Sequence, residues 1–222
     1  MPSERSENLR DRTFSPRVPE ALRVVDANQF EGQLSSISLQ GATITRSAGP
    51  LLIDGARITA TDLSESRFVR PSVGDAIFDD CNLANAHWSE SALTRVAFRE
   101  CQMTGFDANA SALIDVHFWR CKLSLSSFRF LVSAKVQFTD CEMDGTDFHG
   151  VDLRRCRFDR CILTGSLFHG ANADSLDLRS SAVAAVQGID GLRGAIIDQL
   201  QLLDLAESLA SHAGLLVRER NQ

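Results

Sequence analysis

The sequence predicts an all-β solenoid that ends in a short α-helix. Three observations lead to this prediction: large apolar residues recur every five positions, small residues stand two positions before them, and cysteines recur every twenty. Neither an α-helix, whose apolar face recurs at three and four, nor a strand, which alternates at two, has such a period. Turns built from four five-residue sides, each turn stacked on the last, explain both intervals.

The five-residue register begins at Ile53 and runs to Val183. Of the 27 positions counted in steps of five between them, 24 carry a large apolar residue, and 22 of the residues two positions earlier are Ala, Ser, Thr, Cys or Val. At two of the exceptions a large residue takes the small position and its partner is small: Phe106 precedes Ala108, and Leu131 precedes Ser133. The two positions therefore share one interior volume, and both are predicted to point inward.

All six cysteines occupy the small inward position, and five of them are spaced by twenty: Cys81, Cys101, Cys121, Cys141 and Cys161, with Cys156 apart from the series. Five phenylalanines keep the same interval on another phase: Phe78, Phe98, Phe118, Phe138 and Phe158. Stacked turns spaced about 4.8 Å apart would arrange both sets in ladders. That spacing is too long for disulfides, so we expect six free thiols that serve as core residues.

The ends of the chain depart from the register. Residues 1–28 carry mixed charges and three prolines, and are predicted to form an N-terminal tail and cap. Residues 29–187 form the predicted solenoid, with one register slip in the segment 45–52, where Gly49 and Pro50 indicate a loop. Residues 188–222 form a predicted C-terminal cap with a helix that Asp198 caps and Gly214 ends.

The C-terminal helix carries more leucines than one packed face needs. One face can close the end of the solenoid, and the rest is predicted to form a homodimer interface. The predicted dimerisation residues are Leu200, Leu202, Leu203, Leu205 and Leu209.

Four large apolar residues stand at outward positions of the register. Ile114, Phe130 and Val132 should meet on one side of adjacent turns, and Trp119 should stand on the next side. A contiguous exposed apolar group commonly marks an interaction surface, so these four are predicted to bind a protein partner. The alternative is a group that the N-terminal tail covers or that is simply tolerated.

The sequence offers no catalytic or cofactor site. No Ser-His-Asp constellation, nucleophile elbow or glycine-rich phosphate loop can be assembled, because repeat phase explains every Ser, Thr and Gly. His149 and His169 lie one turn apart near Asp147, but further ligands for a metal are not evident. We therefore predict no enzyme activity, no metal and no cofactor.

Charge and hydropathy limit the classes of partner that the sequence predicts. A net charge of −6 disfavours direct binding to nucleic acid. The arginines of the run 154–160 alternate with inward residues, which favours a solvated corner over a phosphate site. The sequence shows no signal peptide and no run of eighteen apolar residues, so we expect a cytoplasmic protein without a membrane partner.

The segments ANAHW (84–88), GTDFHGVDL (145–153) and GANAD (170–174) resemble the A(D/N)LXX units of the pentapeptide repeat family. The resemblance covers about residues 30–187 and implies a right-handed quadrilateral β-helix. Within the family, the nearly uninterrupted solenoid, the segment DAIFDDCNLANAHW (75–88), the mild acidity and the terminal helix resemble the topoisomerase-protecting, quinolone-resistance (Qnr-type) subgroup.

That subgroup implies a dimeric rod that binds DNA gyrase or topoisomerase IV, in part by DNA mimicry, and that protects it from quinolones, a form of antibiotic resistance. Two departures from the subgroup stand out. Long side loops are absent after Ile53, and the Arg-rich corner at 154–160 is foreign to a uniform DNA mimic. The alternative is a general interaction scaffold with an unrelated protein partner.

Overall fold

The computed structural model describes residues 16–24, 33–45 and 48–218. Of the predicted N-terminal tail and cap, residues 1–15 and 25–28 lie outside these ranges. The described strands are β1 (Arg23–Val24), β2 (Gln33–Ser35), β3 (Ile37–Gln40), β4 (Ala48–Asp54), β5 (Arg57–Thr59), β6 (Arg67–Asp79), β7 (Ala92–Arg99), β8 (Ala112–Trp119), β9 (Val132–Thr139) and β10 (Cys156–Asp159). A 3-10 helix (Ile189–Leu192) and two α-helices, α1 (Gln199–Asp204) and α2 (Ala206–His212), follow.

Every strand pairs in parallel with the strand one turn away, which confirms the predicted β-helix. From β6 onward the partners are twenty residues apart, as in the ladder through Val73, Leu93 and Leu113. Corners fall every five residues, and most adopt a left-handed backbone, for example at Asp75, Asp115 and Phe130. Each turn therefore has four sides of five residues.

The core is a stack of apolar ladders. The phenylalanine ladder from Phe78 to Phe158 is stacked ring on ring, with centroids 4.9 to 5.0 Å apart. The five cysteines of the twenty-residue series are buried free thiols, and each donates to main-chain carbonyl oxygens. Cys121 Sγ, for instance, lies 3.4 Å from the carbonyl oxygen of Phe98. These side chains are core residues, as the register predicts.

The register slip is present, but its structure differs from the prediction. Gly49 and Pro50 lie within β4, where we expected a loop. Pro50 pairs with Val69, nineteen residues on, whereas Leu52 pairs with Ser72, twenty residues on. A one-residue irregularity between Pro50 and Leu52 therefore absorbs the slip without leaving the sheet.

The N-terminal part of the described chain runs along the first turns. Pro16 is buried, and the backbone N–H of Arg17 donates to Asp75 Oδ1 at 2.9 Å. β1 then pairs with β3, so the solenoid already begins within the segment that we assigned to the tail and cap.

The C-terminal end closes in two steps. A bridge between Asp177 and Ile196 extends the sheet beyond residue 187, our predicted limit of the solenoid. Asp198 then forms the predicted N-cap, in a capping box with Gln201, and Gly214 adopts a left-handed conformation after α2. The helical segment is divided at Leu205, because this residue turns inward and packs on the core.

Candidate protein-interaction surface

An exposed apolar face lies on one side of the solenoid, formed by Ala92, Ala112, Ile114, Val132 and Ala134. Ala112 pairs with Val132, and Ile114 pairs with Ala134, so the two large side chains lie diagonally across β8 and β9. Ile114 is 44% exposed and Val132 is 66% exposed. The alanines between them keep this side flat, so the apolar face can meet another surface over three turns.

Phe130 stands at the corner that leads into the apolar face. Its side chain is 56% exposed, and its ring lies edge-on to His149, with the centroids 5.1 Å apart. A methyl group added at Gly150 would lie 2.7 Å from Phe130 Cδ1, so the ring covers this glycine. The guanidinium of Arg129 lies 5.7 Å from the ring centroid. The ring is therefore supported from beneath and still presents a free edge.

Trp119 lies on the next side of the turn, beyond the corner at Asp115. It is half-buried between Arg99 and Thr139, its pairing partners on the neighbouring turns. The guanidinium of Arg120 stands over its ring at 4.5 Å. The structure thus brings Ile114, Val132 and Phe130 into one region and sets Trp119 apart from them.

Charged residues around the apolar face form pairs between neighbouring positions. Arg95 holds Asp75 with two hydrogen bonds of 2.6 Å, and its guanidinium lowers the pKa of that carboxyl. Lys135 Nζ lies 3.4 Å from Asp115 Oδ1, one turn earlier. Most acidic groups along this edge are thus neutralised by a basic neighbour, and no continuous acidic stripe runs beside the apolar face in the described part of the chain.

Two arginines at the C-terminal side of the face, Arg155 and Arg157, lack such partners, and the sequence analysis assigned them only to a solvated corner. Their neighbour Arg154 forms a bidentate pair with Asp152. Arg155 and Arg157 are exposed, and within the described ranges neither has a carboxylate oxygen within 4.0 Å. The sequence contains a signal for a basic column at this corner, because Lys135 lies twenty residues, or one turn, before Arg155.

A second apolar surface lies at the C-terminal helices. Leu200, Leu203 and Leu202 are 73%, 70% and 48% exposed, and Leu209 is 38% exposed. Leu205 differs from the prediction: it is 3% exposed and packs on the core, so it closes the solenoid and is not available to a second chain. Gln201 attaches α1 to the last turns of the solenoid, because its side-chain amide donates to the carbonyl oxygens of Leu178 and Ser181.

The residues around the two one-turn-spaced histidines already have partners. Asp147 Oδ1 accepts from the backbone N–H of His149 at 2.8 Å, and Asp147 Oδ2 lies 3.8 Å from Arg129. Within residues 16–24, 33–45 and 48–218 no group of three or more His, Cys, Asp or Glu side chains is placed to hold a metal. No helix among these residues is long and apolar enough to cross a bilayer.

Residues 91–168 match the family model described as "Pentapeptide repeat region". This segment includes β7 to β10 and all residues of the apolar face. Over these residues the chain is similar to a pentapeptide repeat region. The ladders of Phe98 to Phe158 and Cys101 to Cys161 are thus the core of a pentapeptide-repeat β-helix, as the sequence resemblance implied.

Solved structures similar to this chain include full-length QnrB1, described as a plasmid-mediated fluoroquinolone resistance protein. The identity is 19%, the alignment covers 84% of this chain and 94% of that one, and the TM-score is 0.37. HetL, involved in heterocyst differentiation regulation in the cyanobacterium Nostoc sp. strain PCC 7120, is 21% identical. That alignment covers 77% of this chain and 87% of HetL, with a TM-score of 0.30. The comparison with curated proteins found no match.

Proposed function

We propose that this chain is a non-enzymatic rod that acts by binding a protein partner through the apolar face and Phe130. The observation that carries the proposal is the contiguity of exposed Ile114, Val132 and Phe130 on a backbone that is hydrogen-bonded between turns. A rigid scaffold loses little conformational entropy on binding, so exposed apolar side chains held on it are suited to act as anchors.

The partner we propose is DNA gyrase or topoisomerase IV. This choice rests on the sequence resemblance to the topoisomerase-protecting subgroup. It implies a cytoplasmic protein that modulates the enzyme or protects it from quinolones.

Contact through an apolar surface fits the observed charges better than DNA mimicry does. A DNA mimic presents a row of unpaired acidic groups, whereas here Asp75, Asp115 and Asp140 each have a basic partner one turn away. An exposed pair of this kind carries almost no net charge toward a distant partner. The apolar face, not an acidic stripe, is therefore the proposed source of affinity.

The exposed leucines of α1 and α2 support a homodimer as part of this proposal. Leu200, Leu202, Leu203 and Leu209 form an apolar surface at the end of the rod, where a second copy can bury it symmetrically. Such a dimer would join the two solenoids end to end and leave both apolar faces free.

Gyrase supercoiling, measured with and without a fluoroquinolone, tests the topoisomerase proposal. We expect the protein to protect the enzyme from the drug or to inhibit supercoiling, and we expect immobilised protein to retain gyrase. The topoisomerase partner is rejected if the protein neither protects gyrase from the drug nor inhibits supercoiling, and if the immobilised protein retains neither gyrase nor topoisomerase IV. The mixed charge pattern then favours the second candidate, an interaction scaffold with an unrelated protein partner.

A further inference from the structure

The structure points to a specific chemistry for the segment that binds the apolar face, and this inference rests on the proposed binding role of that face. We propose that the occupant is a protein segment in which apolar side chains are followed by carboxylates. The apolar side chains would cover Val132, Ile114 and the free edge of Phe130. The carboxylates would meet Arg155 and Arg157.

The position of the two arginines follows from the strand register. Cys156 pairs with Val136, so Arg155 continues the corner column of Lys135 one turn further on. Arg157 pairs with Gln137 and lies just beyond that corner. Val132 lies next to the Phe130 corner, three residues before Lys135, so Phe130 marks one edge of the apolar face and Arg155 marks the other, with Arg157 just beyond it.

Arg155 and Arg157 act on nearby carboxylates only through longer-range attraction, which helps to lower the pKa of Asp152 and of Asp177. Asp115 neutralises Lys135, and Asp152 is held by both the Nε and Nη2 atoms of Arg154. No carboxylate in the described part of the chain forms an ion pair with Arg155 or Arg157. Two guanidinium groups therefore remain to receive acidic groups of a partner, and Arg is well suited to carboxylates because its donors form a fork.

Two other anionic partners fit less well. Nucleic acid binding depends on many phosphate contacts, and a flat apolar surface beside two arginines supplies few. An anionic membrane attracts clusters of several basic residues, whereas the other basic groups near Arg155 and Arg157 are already paired: Lys135 with Asp115, Arg129 with Asp147 and Arg154 with Asp152. A short peptide can place its carboxylates at the arginines and avoid these acids.

A random dodecapeptide library displayed on phage provides a probe for this specificity. The full chain is immobilised and selected peptides are sequenced. We expect selected peptides to combine aromatic or aliphatic residues with Asp and Glu, and to carry acidic over basic residues by about threefold or more relative to the starting library. Failure to enrich any motif, or enrichment of basic peptides, would overturn the proposal.

Charge reversal makes the test specific to this edge. The double variant Arg155→Glu/Arg157→Glu should select basic peptides instead of acidic ones, whereas Lys122→Glu, at an exposed lysine on the side opposite the apolar face, should select the same peptides as wild type. An unchanged acidic preference in the double variant would contradict the assignment. Circular dichroism melting curves establish that each variant is folded.

The apolar half of the surface has its own variant. Val132→Asp should abolish enrichment of the apolar motif, and because Val132 is 66% exposed the substitution should leave the fold intact. Phe130→Ser serves as a second variant if the first does not fold. Selection of the same peptides by both variants would show that they bind elsewhere and would overturn the proposal.

Sedimentation with phosphatidylserine vesicles separates a lipid from a peptide partner. Vesicle binding that is lost in both the Arg155→Glu/Arg157→Glu and the Val132→Asp variants would replace the peptide proposal with an anionic lipid surface. The phage selection and the gyrase assay can also give different answers. If the protein selects acidic, apolar peptides but leaves gyrase unaffected, this inference is retained and the topoisomerase partner is rejected.

Discussion

The ring of Phe130 covers Gly150, its neighbour one turn further along the same corner. A methyl group at Gly150 would lie 2.7 Å from Phe130 Cδ1 and 2.9 Å from Cε1. Leu125 and Gly145 repeat this relationship at another corner, with a corresponding distance of 3.0 Å to Leu125 Cδ2. At both corners a large apolar side chain thus lies along the rod over a glycine twenty residues later.

We expect Gly150→Ala to displace the ring of Phe130 and to cost about 1 kcal/mol more in unfolding free energy than Gly170→Ala, since overpacking forces the neighbour to move. Gly170 is a matched control: its φ of 64° is close to the 69° of Gly150, and nothing lies within 4 Å of an added methyl group. Both free energies can be measured by denaturant unfolding. Equal losses would show that backbone strain alone sets the cost.

Partner binding should depend on Phe130. We expect Phe130→Ala to weaken gyrase retention about thirtyfold, the effect of losing an anchor of at least about 2 kcal/mol. Titrations of gyrase over the immobilised protein provide the affinities. Trp119→Ala should have a smaller effect than Phe130→Ala, because Trp119 lies beyond the corner and under Arg120.

Leu125→Ala is the control for Phe130→Ala. Leu125 is also a corner residue, is 70% exposed and covers a glycine, but it stands on another side of the solenoid. We expect it to retain wild-type affinity. If Leu125→Ala weakened retention and Phe130→Ala did not, the binding surface would have to be reassigned.

The proposed dimer should dissociate when Leu200 and Leu203 are both changed to Glu, because two charges would enter an apolar interface. These side chains are 73% and 70% exposed, so the solenoid end held by Gln201 and Leu205 should remain closed. Light scattering reports the mass. Leu216→Glu, at an 82% exposed position beyond α2, is the control; a dimer mass that survives the double substitution would refute this interface.

The cysteine ladder should tolerate a small polar residue better than a large apolar one. Cys121 is 1% exposed, and its thiol donates to the carbonyl oxygens of Phe98 and Trp119. Ser at this position can keep a donor, whereas Cys121→Leu should cost about 1 to 3 kcal/mol by overpacking. Thermal melting compares the two variants, and an equal loss would indicate that Cys121 lies outside the tight interior.

The Asp75–Arg95 pair should contribute a pH-dependent part of stability. The hydrogen bonds from Arg95 lower the pKa of Asp75 below its ordinary value of 3.8. The folded carboxyl therefore binds a proton less readily than the unfolded one, so the contribution is present above about pH 4 and is lost as the pH falls through the folded pKa.

We expect Arg95→Gln to lower the unfolding free energy at pH 7, and we expect this difference from wild type to shrink below about pH 4. Denaturant unfolding at each pH measures it. Arg154→Gln removes a more exposed pair, whose side chains are 54% and 49% exposed, and should have a smaller effect. A difference for Arg95→Gln that stays constant down to pH 2 would contradict the linkage.

The buried positions of the solenoid could be predicted from the sequence, because they follow from the five-residue repeat. Phe118 and Cys121 are buried as the register requires, and the volume exchange between Phe106 and Ala108 follows from the same shared interior. Asp198 as an N-cap and Gly214 as a terminator are likewise local signals. By contrast, Gly49 and Pro50 were expected in a loop and lie in β4, because neighbouring strands can absorb a one-residue slip.

The sequence by itself determined which residues point inward and how far apart the turns repeat, since both follow from a five-residue period that no other regular structure shares. Only the tertiary structure decided how particular outward and terminal side chains pack. Gly150 provides the space in which Phe130 lies, and Leu205 turns inward beside Gln201, whose side-chain amide donates to the carbonyl oxygens of Leu178 and Ser181. These relationships join residues across turns or at the end of the rod, where packing and hydrogen bonds between distant segments, rather than the repeat, set side-chain direction.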